Sequence, residues 1–273
     1  MIRRFISRIA AFSLSVFSHE RRRARILRSP FPTAWLEHLK QNVRIDRFLS
    51  PEEQTKLRND LRIFLAEKNW EGCAGLAITE EIKVTISAQA CVLLLGMEHN
   101  YFSHVRSILV YPSVYRVREE SIGPAGVVSQ GHSQRVGEAW YRGPVVLAWD
   151  EVLADGRHHT GGRNVVFHEF AHQLDFLDGL IDGTPPLEHR DRYQKWHEVM
   201  TDEYEALHRK TNKGKAVLLD EYGTTNSAEF FSVATECFFE QPVKMRHYHP
   251  RLYQVLRDYY RQDPAKRREK EMP

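Results

Sequence analysis

The sequence predicts an α+β domain that is mainly helical and has a small β-sheet. Most apolar residues recur at the three- and four-residue spacing of amphipathic helices, whereas two short segments, residues 107–111 and 144–149, have the character of strands. With 273 residues, of which 42% are hydrophobic and 27% charged, the composition is that of a soluble globular protein, and the chain can bury a full-sized core.

Local signals place several elements along the chain. Ser50 and Glu53 form a capping box that begins a helix. After a turn at residues 72–75, the apolar stretch 86–95 predicts a further core helix. The Gly- and Ser-rich stretch 119–137 predicts a loop.

The charge of the chain is unevenly distributed. Residues 1–28 combine many arginines with apolar residues, and residues 263–273 are mostly charged, so the part between them is close to neutral. We therefore predict a basic N-terminal extension (1–28), one domain (29–262) and a charged C-terminal tail (263–273). The extension is either an amphipathic helix in peripheral contact with an anionic membrane or a flexible segment. The middle part has no basic stripe with interleaved aromatic residues, so we expect no direct nucleic-acid binding.

Three isolated cysteines, Cys73, Cys91 and Cys237, lie in apolar stretches. They form no C-x-x-C pair and are odd in number. This pattern predicts buried free thiols in a reducing compartment.

An apolar helical segment contains the motif H-E-x-x-H, formed by His168, Glu169 and His172. Because residues four apart lie one turn apart on a helix, both imidazoles face the same way and can bind one Zn²⁺. Glu169 is placed to act as the general base that deprotonates a water molecule. A chance match is the alternative, but no Lys or Arg occurs in residues 164–189, whereas a solvated helix face would carry them.

A catalytic zinc site needs a third protein ligand, and the sequence offers several candidates. An extended H-E-x-x-H motif would place this ligand at Asp178, although the glycine that the motif requires is replaced by Asp175. His189 and His197 lie in a densely charged stretch that is typical of a solvated helix. The remaining candidate is Glu229.

Glu229 lies in an apolar helical pattern, on the same face as Glu236. Because residues 216–243 contain no Lys, Arg or His, these carboxylates need a positive partner from elsewhere, and a metal ion would supply one. The alternative is that Asn226 and Glu229 form only a helix-capping pair. If Glu229 is a ligand, Glu236 or Asp175 would be able to orient a ligand histidine through its other ring nitrogen.

Three further features have both a structural and a functional interpretation. Tyr222 either packs against its neighbours or donates a hydrogen bond to the oxyanion of a transition state. The strand at 144–149 is either an ordinary core strand or an edge that holds a substrate by β-augmentation. The connection 155–162 is polar and predicted to be flexible, so His158 and His159 are expected to be exposed loop residues and not ligands.

Several motifs recur together in this chain. They are HEFAHQLD, the combination of Tyr222 with Asn226-x-x-Glu229, and the segments FPxxW, LSPEEQxxL, ISAQACVLLL and ILVYP. This set resembles the MtfA (Mlc titration factor A) family of zinc metallopeptidases. The resemblance extends from about residue 31 to about residue 260, and the set is more specific than H-E-x-x-H alone.

The resemblance implies a zincin-like metallopeptidase domain of the gluzincin type. In this family pattern His168, His172 and Glu229 are the zinc ligands, Glu169 is the general base, and Tyr222 stabilises the transition state. The resemblance also implies a cytoplasmic protein with aminopeptidase activity on peptide substrates and, as in enterobacterial members, binding of an Mlc-type transcription repressor.

Two functions from different classes remain at this point. The first is a zinc-dependent peptidase, and the second is a non-catalytic regulator that sequesters a transcription repressor and holds zinc for structural reasons. The presence of Glu169 favours the enzyme, because a structural metal site needs no general base. The Arg-rich residues 1–28 depart from the family pattern.

Overall fold

The computed structural model describes residues 19–114, 143–158 and 161–269. These residues are mostly helical and contain one small sheet, in agreement with the predicted α+β class. The loop predicted at 119–137 and His159 lie outside the described residues. None of the described helices has the length and apolar character needed to cross a membrane.

Ten helices are labelled here along the described part of the chain, and three short 3₁₀ helices lie at Arg44–Phe48, Phe176–Asp178 and Glu221–Thr224. The ten are α1 (Thr33–Asn42), α2 (Pro51–Glu67), α3 (Glu80–Val92), α4 (Trp149–Arg157), α5 (Val165–Asp175), α6 (Arg190–Thr211), α7 (Ser227–Glu240), α8 (Pro242–Tyr248), α9 (Pro250–Tyr260) and α10 (Pro264–Glu269).

The sheet has three strands in the order β1 (Asn69–Gly72), β2 (Ser107–Tyr111) and β3 (Val145–Ala148). All neighbours are parallel, with Trp70 opposite Ile108 and Ile108 opposite Val145. The strand predicted at 107–111 is confirmed, and the one predicted at 144–149 is shorter because Trp149 already begins α4. Strand β1 was not predicted.

Two helix starts follow from side-chain caps. The predicted capping box is present: the Ser50 side chain accepts a hydrogen bond from the Glu53 amide, and Glu53 accepts one from the Ser50 amide. Helix α3, however, begins at Glu80 and not at residue 86, because the Thr79 side chain accepts a hydrogen bond from the Ile82 amide. Beyond Val92 the chain leaves the α-helix, so the predicted end at residue 95 was too late.

The predicted flexible connection at 155–162 was wrong for its first residues. Helix α4 continues to Arg157, and Asp155 accepts a hydrogen bond from the Val165 amide at 2.9 Å. A Cβ on Gly156 would lie 2.3 Å from the Asn42 carbonyl oxygen. This glycine therefore permits close packing of α4 against the end of α1.

Residues 19–28 are helical and contact α2. The Arg23 guanidinium donates to the Glu67 carboxylate at 2.7 Å. In the opposite direction, Arg62 of α2 donates to the carbonyl oxygens of Ile26 and, at 2.7 Å, Ser29. Part of the predicted N-terminal extension therefore packs against the domain.

The described part of the C-terminal tail also packs on the domain. Ala265 of α10 is fully buried, and the Arg267 guanidinium lies 2.5 Å from the Glu53 carboxylate.

Aromatic side chains hold α5 between α7 and the α2 region. Phe167 of α5 packs against Phe239 of α7, with ring centroids 5.3 Å apart, and Phe170 packs against Phe64 at 5.6 Å. All four rings are fully buried. Because close-packed interiors resist displacement, the histidine-bearing face of α5 is held rigidly opposite α7.

The three cysteines form no disulfide. Cys91 and Cys237 are buried, as predicted, whereas Cys73 is only partly buried, so the prediction of burial was wrong for that residue.

Candidate metal centre

Helix α5 carries both histidines of the motif on the face that points toward α7. The helix begins at Asn164, whose side-chain oxygen accepts a hydrogen bond from the Phe167 amide at 3.0 Å. Its apolar residues Val166 and Phe170 are buried in the core. The one-turn spacing then places the rings of His168 and His172 4.9 Å apart.

Helix α7 supplies the carboxylate that meets them. Asn226 does cap this helix, but it accepts its hydrogen bond from the backbone amide of Glu229, at 2.9 Å. The side chain of Glu229 points elsewhere: its Oε2 lies 3.0 Å from His168 Nε2 and 3.2 Å from His172 Nε2. The capping pair and the carboxylate–histidine cluster therefore coexist, because they use different atoms of Glu229.

The three donor atoms have the spacing of a metal site. The two Nε2 atoms lie 3.3 Å apart, and each is close to Glu229 Oε2. Donor atoms around a tetrahedral ion bound at about 2.0–2.1 Å lie about 3.3 Å from one another. Two imidazole nitrogens and a carboxylate are also the donor types that zinc takes in catalytic sites. The residues present thus fit a divalent metal ion.

A second carboxylate of α7 contacts His168 at Nδ1, the ring nitrogen that does not face Glu229. Glu236 Oε1 lies 2.7 Å from His168 Nδ1, and Glu236 Oε2 accepts a hydrogen bond from the Asn164 amide at 2.6 Å. Asp175, the other candidate for this role, accepts a hydrogen bond from the Gly183 amide at 2.9 Å. Of the two carboxylates, Glu236 is the one that the structure brings to His168.

Glu169 and Tyr222 lie beside the same cluster. The ring of Tyr222 is 6.0 Å from that of His168, and 48% of the residue is exposed. Its position is fixed by Asp220, which accepts a hydrogen bond from the Tyr222 amide at 2.9 Å. Burial raises the pKa of Tyr222, and the charges of Glu229 and Glu169 add to this effect. The phenol is therefore protonated at neutral pH and can donate a hydrogen bond.

A family model described as glucose-regulated metallo-peptidase M90 matches residues 17–261. The chain belongs to this family. This confirms the resemblance found in the sequence, since relatives named Mlc titration factor A also match. Those of Yersinia pestis (strain Pestoides F) and Yersinia pseudotuberculosis serotype O:3 are 29% identical over 238 residues, which are 85% of this chain and 86% of each relative. An uncharacterized protein of Synechocystis is 38% identical over 244 residues, 89% of either chain.

Membership of the M90 family implies a metal ion, and the electrostatics of the cluster are those of a site that requires a cation. Burial alone would lower the pKa of His168, but its hydrogen bonds to Glu229 and Glu236 outweigh burial and raise the pKa to about 10. Burial raises the pKa of Glu229, yet hydrogen bonds from both histidines bring it well below its usual range. Without a metal, protons take the place of the cation, so metal binding must displace them.

The other ligand candidates of the M90 chain lie away from this cluster. Asp178 is exposed and accepts a hydrogen bond from the Leu180 amide at 3.0 Å. His189 and His197 are exposed, as is His158, which follows α4. Among the described residues, only His168, His172 and Glu229 form a potential metal-binding group, with ligand atoms within 4.8 Å of one another.

Sequence reasoning missed two residues that lie beside this cluster. Asn164 caps α5 and binds Glu236, and an Asn directly before an apolar helix is a recognisable signal for such a cap. Glu240 on α7 accepts a hydrogen bond from the Asn164 side chain, and no local pattern in the sequence indicated this contact.

A cavity of about 410 Å³ adjoins Glu236 and is lined among others by Arg163, Asp220 and Val233.

Proposed function

We propose that this M90 protein is a zinc-dependent peptidase of the gluzincin type, with a zincin-like domain and an aminopeptidase-like preference. The observation that carries the proposal is the convergence of His168, His172 and Glu229, with Glu169 and Tyr222 beside them. The aminopeptidase preference rests on the family resemblance alone.

Each residue of the cluster has a distinct role in this proposal. A zinc ion held by His168, His172 and Glu229 would supply a water of lowered pKa and polarise the scissile carbonyl. Glu169 accepts the proton of the attacking water and passes it to the leaving amine. Tyr222 donates its phenolic hydrogen to the developing oxyanion.

Glu169→Gln tests the proposal directly. The purified variant is compared with wild type for metal content and for hydrolysis of peptides with free or acetylated N-termini. Because the amide cannot accept the proton of water, we expect the variant to keep its metal and lose about 10²–10⁴-fold in turnover.

The matched control is Glu205→Gln, since Glu205 is exposed and pairs with Arg209, one turn away on α6. Equal turnover in the wild type and the Glu169 variant, with metal bound in both, would exclude Glu169 as the base. Equal cleavage of free and acetylated peptides would exclude only the aminopeptidase preference.

A second candidate function is the binding of an Mlc-type transcription repressor. Its support is the name of the Yersinia relatives, Mlc titration factor A. Titrating a purified Mlc-type repressor with wild type and with Glu169→Gln separates the two functions. Binding of the repressor by both proteins, without peptide hydrolysis by either, would favour the regulator. Peptide hydrolysis by the wild type without binding of the repressor would favour the peptidase alone.

A further inference from the structure

We propose that Asn164 is a positioning residue for the metal centre, acting through Glu236 and Glu240 to fix the orientation of His168. The inference goes beyond the proposed function but rests on its metal site. Asn164 itself lies outside the predicted ligand set.

Asn164 is only 1% exposed, and its side chain and backbone amide make four hydrogen bonds. The backbone amide donates to Glu236 at 2.6 Å, and the side-chain oxygen caps α5. Its Nδ2 donates to Gln89 Oε1 at 2.9 Å and to Glu240 Oε1 at 3.3 Å. A residue needed only as a cap would use the side-chain oxygen alone. The Nδ2 contacts connect the start of α5 to Gln89 of α3 and Glu240 of α7, which a cap alone does not do.

The two carboxylates that Asn164 contacts belong to adjacent turns of α7. Glu236 and Glu240 are both 6% exposed, so their like charges are costly unless each has a partner. Glu236 has His168, at 2.7 Å, and Glu240 has Arg44, at 2.5 Å. Asn164 lies between them and donates to both, which holds each carboxylate toward its own partner.

The orientation of Glu236 decides which nitrogen of His168 faces the metal. When Glu236 accepts the Nδ1 proton, the lone pair of the neutral ring is on Nε2, beside Glu229 and His172. The backbone amide of Asn164 donates to the second oxygen of Glu236 and prevents the carboxylate from rotating away. The side chain of Asn164 fixes the position of that amide through the cap of α5 and through its contacts with Gln89 and Glu240, so that Asn164 holds the ring orientation of His168 without contacting the metal.

Asn164→Asp separates this role from helix capping. Aspartate keeps the capping oxygen and the backbone amide, but it presents an acceptor to Glu240 where asparagine presents Nδ2. We expect the affinity for zinc, measured by chelator competition, to fall about 10–100-fold. The visible spectrum of the cobalt-substituted protein should change with it, because that spectrum reports ligand geometry and not activity.

The double variant Asn164→Asp/Glu240→Gln exchanges donor and acceptor and should restore both readouts. The amide nitrogen introduced at position 240 would donate to the carboxylate introduced at position 164, while the amide oxygen still accepts from Arg44. Asn164→Ser, which keeps a capping oxygen but lacks the Nδ2 donor, should show an intermediate loss of affinity. Asn59→Asp on α2 adds the same charge away from the site and serves as control.

Wild-type zinc affinity and an unchanged cobalt spectrum in both Asn164→Asp and Asn164→Ser would overturn the proposal. So would a loss in Asn164→Asp that Glu240→Gln fails to restore, since the contact between positions 164 and 240 would then not carry the effect. If Asn164→Asp does not fold, Asn164→Ser and the double variant decide. Failure of the wild type to bind zinc would instead refute the proposed function.

Discussion

Replacing Glu229 by alanine separates a metal ligand from a helix cap. The cap of α7 is formed by Asn226 and the backbone amide of Glu229, so Glu229→Ala leaves that hydrogen bond in place. What the variant loses is the carboxylate beside the two Nε2 atoms. The control is Asp178→Ala, which removes an exposed carboxylate that accepts a hydrogen bond from the Leu180 amide.

The size of the effect follows from the number of ligands. A structural zinc site with four protein ligands contributes about 10–16 kcal/mol, so one ligand accounts for roughly 2.5–4 kcal/mol. At 1.36 kcal/mol per factor of ten, this is about two to three orders of magnitude in affinity. The Asp178 variant loses one exposed hydrogen bond, about 0.5–1.5 kcal/mol of stability, and should keep its zinc affinity.

Competition with a chromophoric zinc chelator measures both affinities under the same conditions. Thermal unfolding with and without zinc gives an independent value, because a ligand at about 100 times its Kd stabilises the folded state by about 2.7 kcal/mol. That stabilisation should disappear in Glu229→Ala and persist in Asp178→Ala. Zinc affinity within threefold of wild type in Glu229→Ala would refute the assignment, and a loss confined to Asp178→Ala would assign the third ligand to Asp178.

Three further predictions concern other parts of the molecule. Tyr222→Phe should bind zinc as wild type does but lower kcat about 10²–10³-fold, as for loss of one oxyanion donor, and unchanged steady-state kinetics would assign Tyr222 to packing. Burial lowers the pKa of Lys68 to about 8, so between about pH 8 and 10.5 the unfolded chain binds more protons. Across this window the free energy of unfolding of wild type, measured by chemical denaturation, should therefore rise relative to that of Lys68→Met by at most about 3.4 kcal/mol. A difference between the two proteins that stays constant with pH would contradict this. Finally, the helix at 19–28 exposes Arg21, Arg25 and Arg28 on one face. At about 1 kcal/mol for each arginine, their joint replacement by glutamine should weaken sedimentation with anionic vesicles about 100-fold. Replacing the exposed residues Arg209, Lys213 and Lys215 should not weaken it. Equal sedimentation of both variants would exclude a membrane role for this helix.

The sequence predicted the grouping of His168, His172 and Glu229 because each of these residues has a local signal. His168 and His172 are one turn apart, and the carboxylate of Glu229 lies in an apolar segment without nearby cations, which indicated a partner from elsewhere. The residues that orient the cluster had no such signal. The contact between Arg44 and Glu240 joins positions 196 residues apart, and no local pattern identifies such a pair.

Errors in the predicted fold have a similar origin. Strand β1 (NWEG) lacks an alternating pattern and is stabilised by its parallel pairing with β2. The connection at 155–162 contains Gly161 and Gly162, which suggested flexibility, but its first residues belong to α4, and Gly156 permits the close approach of this helix to the Asn42 carbonyl. In both segments a tertiary contact determines the conformation, and the local sequence does not.

The cluster also brings α5 and α7, which are distant in sequence, into contact. His172 on α5 and Glu229 on α7 are 57 residues apart in sequence, so an ion shared by them closes a loop of that length. In the chain-entropy model, a covalent cross-link across such a loop stabilises the folded state by about 4 kcal/mol, whereas the stabilisation by a reversibly bound ion rises with its concentration relative to its Kd. Metal loading would then set the lifetime of the folded protein as well as its chemistry. A protein that has lost its ion should be cleaved sooner by a general protease than one that retains it.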